Sequence, residues 1–268
     1  MVTRILRLLP SSPKRRRRRP EPAPELPDMI REIRERAQQG HVAEQVRWGD
    51  ILLKSIYMPP DPARARQWYE IAASAGYAPA LNMLGRCHHF GWGGAVDHAA
   101  AAEAYEKAAR LGDLWGNYNL AIMVMRGIGM KPDLPRALAL FRSGAERGHA
   151  KSMNLLARFI EEGWHTPRDP ALALDWYRRS AEGGDYRGQH NYATALCAMG
   201  REEEAFDWWD KAVVDATSDI LLAMQRQLQP SKSSRRDALL VQVALRLGQF
   251  GVTTPNQERA NDRHKTNT

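Results

Sequence analysis

The sequence predicts an all-α fold, a right-handed α/α superhelical solenoid of about five 36-residue helix pairs closed by a C-terminal helical cap. Three observations carry this. Glycines stand at Gly40, Gly76, Gly112, Gly148 and Gly184, each 36 residues after the last. Aspartates at Asp61, Asp97, Asp133 and Asp169 keep the same 36-residue step. Two further columns share the register: small residues at Gly49, Gly85, Ala121, Ala157 and Ala193, and aromatic ones at Tyr69, Tyr105, Phe141 and Tyr177. A unit of this length cannot bury its apolar face alone, so stacking neighbouring units supplies the core.

From the N-terminus, residues 1–27 read as a disordered basic arm. It carries Arg15, Arg16, Arg17, Arg18 and Arg19 in a row and six prolines. Like charges repel, and proline lacks the donor that helices and sheets need. Its start is too short and too charged for a secretory signal, although an acid-free, Arg-rich segment superficially resembles a mitochondrial transit peptide. Two readings stay open: attachment to an acidic surface (lipid, nucleic acid or protein), or a solvated tail.

Residues 28–252 read as the folded repeat domain. Asp28 to Gln39 is a polar leading helix that suits an open end. His41 to Tyr57 is a helix with Trp48 and Gly49 in register. Then the repeat proper begins. Asp61 and Asp169 precede Pro62 and Pro170, an acceptor followed by a residue preset for the first helical position. Asp97 and Asp133 fill the same slot. A first-type helix follows each, rich in alanine and aromatic residues. The periodic glycine ends it, because glycine enters the left-handed region at little cost. A second-type helix with the small residue comes next, and a glycine-bearing loop (GWGGAVD, GIGMKPD, GWHTPRD) closes the unit.

The period breaks after Gly184, where a shorter loop puts Trp208 and Trp209 32 residues after Trp176 and Tyr177. The core repeats thus span about 40–214, and helices within 216–250 form the cap. Residues 253–268 are polar and read as a disordered tail.

Composition bounds the function. Hydrophobic residues make up 43% and charged ones 26%, ordinary for a soluble domain. The net charge of +8 describes the tails. Residues 1–20 hold eight basic residues and no acid, residues 21–230 hold 24 basic and 28 acidic ones, and residues 231–268 hold seven and three. The body is therefore not a basic nucleic-acid-binding surface. No apolar stretch is long enough for a membrane span. Cys87 and Cys197 make no disulfide framework and no zinc spacing, which fits a reducing, cytoplasmic compartment.

The string A-x-x-L-G, G-x-G, D-x-x-x-A, W-Y-x-x-A-A-x-x-G resembles the Sel1-like repeat (SLR) family, relatives of the tetratricopeptide repeats. It is carried by Ala80, Leu84, Gly85, Gly91, Gly93, Asp97, Ala104, Tyr105, Ala108, Ala109 and Gly112. It recurs in Trp68, Tyr69, Ala72, Ala73 and Gly76 and in Trp176, Tyr177, Ala181 and Gly184. The resemblance implies a scaffold or adaptor that holds other proteins in a complex. Some secreted bacterial members carry a disulfide in each repeat, but here Ala95 stands where the partner of Cys87 would be. That departure argues against the secreted branch.

The resemblance also implies candidate sites. In related tetratricopeptide proteins, groove asparagines grip a bound peptide backbone, so Asn82, Asn119, Asn154 and Asn191 are candidates; their alternative role is a bond to a neighbouring loop. First-type helices are expected on the concave side, where Arg142, Arg178 and Arg179 would form a basic stripe for an acidic peptide. Ordinary solvated charge is the other reading. Trp92 and Trp164 follow periodic glycines and either anchor a partner or fold back on the next repeat, as Ile128 at the same phase suggests.

His88 and His89 diverge by about 100° around their helix, and no metal or nucleophile motif appears. The expectation is a non-catalytic, monomeric, cofactor-free adaptor of bacterial type that presents a concave groove to a protein or peptide. Action on nucleic acid or anionic membrane through the arm is the alternative. A cell-wall hydrolase is a remoter one.

Overall fold

The computed structural model describes residues 26–228 and 233–252, so the expected tail and all but the last two residues of the expected arm lie outside it. The described residues form thirteen helices and no strand. They are α1 (Asp28–Gln38), α2 (Val42–Lys54), α3 (Pro62–Ser74), α4 (Ala78–Phe90), α5 (His98–Arg110), α6 (Leu114–Arg126) and α7 (Leu134–Glu146). Then come α8 (Ala150–Glu162), α9 (Pro170–Glu182), α10 (Tyr186–Ala198), α11 (Glu202–Asp215), α12 (Ser218–Leu228) and α13 (Ser234–Gln249). From α1 to α11 each helix packs on the next, and α13 packs on both α11 and α12, so the chain is a stack of sequential helix pairs. None of these helices is long and apolar enough to cross a membrane.

The periodic columns do the work their chemistry suggests. Asp61, Asp97, Asp133 and Asp169 each accept a bond from the backbone N–H three residues on, at 2.9–3.0 Å. This satisfies a donor that the first helical turn leaves free. Their own N–H groups donate to Leu52, His88, Val124 and Ile160 on the preceding helix. One residue therefore starts a helix and ties it to its neighbour. The five periodic glycines all have φ between 77° and 94°, where a side chain would strain the backbone.

The small and aromatic columns are two halves of one contact. A Cβ on Gly85 would lie 2.6 Å from the Tyr105 ring, and one on Gly49 would lie 2.5 Å from Tyr69. Each ring lies flush on the helix before it, and no methyl group fits between. Ala121 shares a core cluster with Phe141, and Ala157 shares one with Tyr177. The core falls into three clusters along the stack, set between the two helix rows. Phe141 and Phe159 meet in one of them at 5.7 Å between centroids. At the end, α12 and α13 add Leu221, Met224, Leu239, Val243 and Leu247 to the cluster of the last repeat.

Trp92 and Trp164 fold back onto the stack. Phe90 stacks on Trp92 and Phe159 meets Trp164 edge-on. The loop slot held by Gly93 and Gly129 is filled in the third repeat by His165, at a positive φ of 53°. Cys87 is buried and Cys197 half-buried, both free thiols. Burial pushes the Cys87 thiol up to about 11.

Candidate functional site

Curvature decides which helices face inward. Second-type helices touch along the stack at α2–α4, α4–α6, α8–α10 and α10–α12. The first-type helices α3, α5, α7 and α9 make no comparable contacts with one another. In a bent stack the row whose members approach most closely is the inner one. A cavity of about 520 Å³ runs along it, drawing Phe90 from α4, Asn119 and Ile122 from α6, Asn154 from α8, Arg187 from α10 and Ile220 from α12. The concave side therefore belongs to the second-type helices, and the expected assignment to first-type helices is overturned.

That correction moves three candidates. Arg178 pairs with Asp175 at 2.7 Å and Glu182 at 2.8 Å. Arg179 pairs with Asp175 at 2.8 Å and lies over the Trp176 ring. Arg142 is exposed on α7. None of the three lines the cavity, so they form no stripe in the groove. Arg15 to Arg19 lie outside the described residues.

The asparagines sit on the inner row and form two cross-helix pairs. Asn119 Nδ2 donates to Asn82 Oδ1 at 2.8 Å, joining α6 to α4. Asn191 Nδ2 donates to Asn154 Oδ1 at 2.8 Å, joining α10 to α8. Asn119, Asn154 and Asn191 also line the cavity. The Oδ1 atoms of Asn119 and Asn191 accept no bond from the described residues, so they can meet a backbone N–H.

The step from α6 to α8 differs. At the corresponding positions stand Tyr118 and Leu155, which cannot make the amide pair. Tyr118 instead packs edge-on against His149 and tilted over Phe141. These two helices pack less closely than α4 and α6 or α8 and α10 do. A recess of about 390 Å³ opens there, lined by Met125, Arg126, Leu134, Leu155, Arg158 and Trp164. It adjoins the long cavity through Met125, Arg126, Leu155 and Arg158.

Sequence reasoning missed Arg126, Arg158 and Arg187. One signal was available: Arg86 and Arg158 stand four residues after Asn82 and Asn154, which places each on its asparagine's helix face.

The titratable groups nearby hold protons in a definite sense. His190 is buried and accepts from Trp209 Nε1 at 3.2 Å through Nδ1. Burial, with the charge of Arg226 second, pushes it down to about 4. His149 bonds Ser152 and is also lowered, by burial and then by Lys151. His89 faces His98 edge-on at 5.4 Å, and burial and then that neighbour lower it. Of these only His89 lines the cavity, whose charged side chains are Arg126, Arg158, Arg187 and Asp219. Among the described residues no three His, Cys, Asp or Glu side chains cluster as metal ligands do.

Comparison with known proteins agrees with this architecture. The Sel1 repeat model matches residues 45–77, 78–113, 116–149 and 150–185. A chitin synthase regulator, SKT5, from Malassezia restricta is 31% identical over 126 residues, 46% of this chain and 9% of that protein. Chitin synthase regulatory factor 3 from Schizosaccharomyces pombe is 30% identical over 105 residues, 38% of this chain and 11% of that protein. The chain thus matches about a tenth of the length of these curated relatives.

Among solved structures, c5321, a protective antigen of uropathogenic Escherichia coli with an SLR fold, is 29% identical with a TM-score of 0.62. That match covers 83% of this chain and 49% of the other. A Sel1 repeat protein from Oxalobacter formigenes aligns with a TM-score of 0.66 at 21% identity, over 82% of this chain and 98% of the other, a likeness of fold. With its aspartate caps, glycine turns and paired helices in the register of that model over more than half its length, the chain belongs to the Sel1 repeat family.

Proposed function

We propose that the protein is a non-catalytic adaptor whose concave groove receives an extended segment of a partner protein. The observation that carries this is the cavity along the second-type helices, lined by Asn119, Asn154 and Asn191 of two cross-helix pairs that keep acceptor oxygens free. An extended segment offers a backbone N–H at every second residue on one side, and such acceptors hold it without regard to sequence. Relatives named as regulators of an enzyme support a protein that acts on another protein. Two free thiols, one of them buried, suit a cytoplasmic setting.

Photo-crosslinking in the native cell tests the reading. A photoreactive residue at Ile122, in the groove, is compared with one at Leu172, exposed on α9. The expected result is one or two proteins captured in stoichiometric yield from Ile122 and not from Leu172. Equal capture from both sites, or none from the groove, overturns it.

A further inference from the structure

Two guanidinium groups at the mouth of the α6–α8 recess are uncommitted. Arg126 and Arg158 are exposed, and neither forms an ion pair among the described residues. Arg158 lies over the Trp164 ring, its guanidinium 5.4 Å from the centroid, which orients it beside the opening without neutralising it. Below them the recess is apolar, walled by Met125, Leu134, Leu155 and the Trp164 ring. Further along, Arg187 meets Asp219 at 3.6 Å, the carboxylate that lines the cavity. Glu161, near the recess in sequence, is engaged by the Tyr177 hydroxyl at 2.7 Å. The site thus combines two unneutralised cations with an apolar hole large enough for a bulky side chain.

Resting on the adaptor reading above, we infer that this recess selects the partner segment. It takes one large aliphatic or aromatic side chain between α6 and α8, while acidic residues on either side pair with Arg126 and Arg158. The cavity extends past the recess in both directions, toward Phe90 and toward Ile220, so the occupant is an internal stretch of chain running through. Charge complementarity fixes its chemistry. A basic or neutral segment would leave two guanidinium groups facing like charge or an apolar neighbour. Arginine's fork holds a carboxylate bidentately, which adds register to the attraction.

The test uses the full chain, arm included, and a random-peptide display library as probe. The expected outcome is selection of peptides in which a large apolar residue is flanked by Asp or Glu. A fluorescent copy of the strongest is then titrated by anisotropy against three proteins: the natural sequence, Arg126→Glu/Arg158→Glu, and Arg178→Glu/Arg179→Glu. Affinity should fall at least ~tenfold in the first double variant and stay within about twofold in the second. All three should give the same helical circular dichroism, since these side chains are exposed.

Selection without acidic enrichment, no selection at all, or equal affinity for the groove-reversed variant overturns the inference. Equal affinity would assign the attraction to the basic arm or the outer face. If a partner crosslinked from Ile122 binds the Arg126→Glu/Arg158→Glu variant unchanged, the adaptor reading stands and this inference alone fails.

Discussion

The two rows of the stack handle charge differently. On the outer row, several charges pair within one helix or between neighbours. Arg66 pairs with Glu70 at 2.9 Å, Lys107 with Glu103 at 2.6 Å, Arg178 with Asp175 and Glu182, and Arg136 reaches Glu106 at 3.2 Å. On the inner row, Lys151 pairs with Asp185 and Arg187 with Asp219, but Arg126 and Arg158, which line the cavity of about 520 Å³, have no such partner among the described residues. Exposed pairs of the first kind contribute little to stability and attract little from outside. Unneutralised guanidinium groups beside an apolar recess keep their charge available to an outside carboxylate. The recess proposed above as a docking site is a place where the fold leaves two charges unmatched.

Four substitutions break or sharpen that contrast. The largest effect comes where both rows meet. Phe141 on α7 is fully buried against Phe159 on α8, and Phe141→Ala should cost about 3–5 kcal/mol in urea denaturation. Loss in one transition would show that the rows unfold together, whereas a split transition would show that they are separable.

The next effect singles out the inner row. His190 sits at about 4 in the fold, below the ordinary histidine value near 6.5. A histidine held neutral contributes its stability above pH 6.5. Below that the unfolded chain binds a proton that the folded one refuses, so stability falls until about pH 4, by about 3 kcal/mol. His149, lowered by burial and by Lys151, adds loss of the same sign. His190→Gln should flatten most of the slope; an unchanged slope between pH 6.5 and 4 contradicts the assignment.

Asp133→Ala removes an outer-row cap and should cost about 1 kcal/mol, read as a shift in urea midpoint at constant slope. Arg178→Ala, which breaks two exposed pairs of the outer row, should change stability by less than about 0.5 kcal/mol. A larger loss would mean that the outer charges are structural after all.

The sequence made the elements legible because each periodic residue answers a local backbone demand. An aspartate N-cap and a glycine at positive φ are requirements of one turn of chain, and they recur wherever that turn recurs. Even the missing loop residues before α11 were visible as a shifted tryptophan pair. Which row faces inward was not legible, because both are rich in alanine and carry scattered charge. Curvature depends on how closely neighbours in one row approach, and that comes from side chains 36 or 37 residues apart acting together. Asn82, Asn119, Asn154 and Asn191 stood out as residues, but not as two pairs. Arg126 and Arg158 looked like ordinary surface, since only the fold reveals which charges lack a counter-charge.

Tyr118 and Leu155 stand where the neighbouring steps have an asparagine pair, and the recess lies at that step. A recess defined by an omitted amide pair is easy to relocate. Restoring an amide pair at these two positions and removing one elsewhere would shift the opening along the stack without rebuilding a loop or changing the helix count. In such an architecture the opening can move along the stack while the columns of aspartate and glycine, and with them the fold, stay the same.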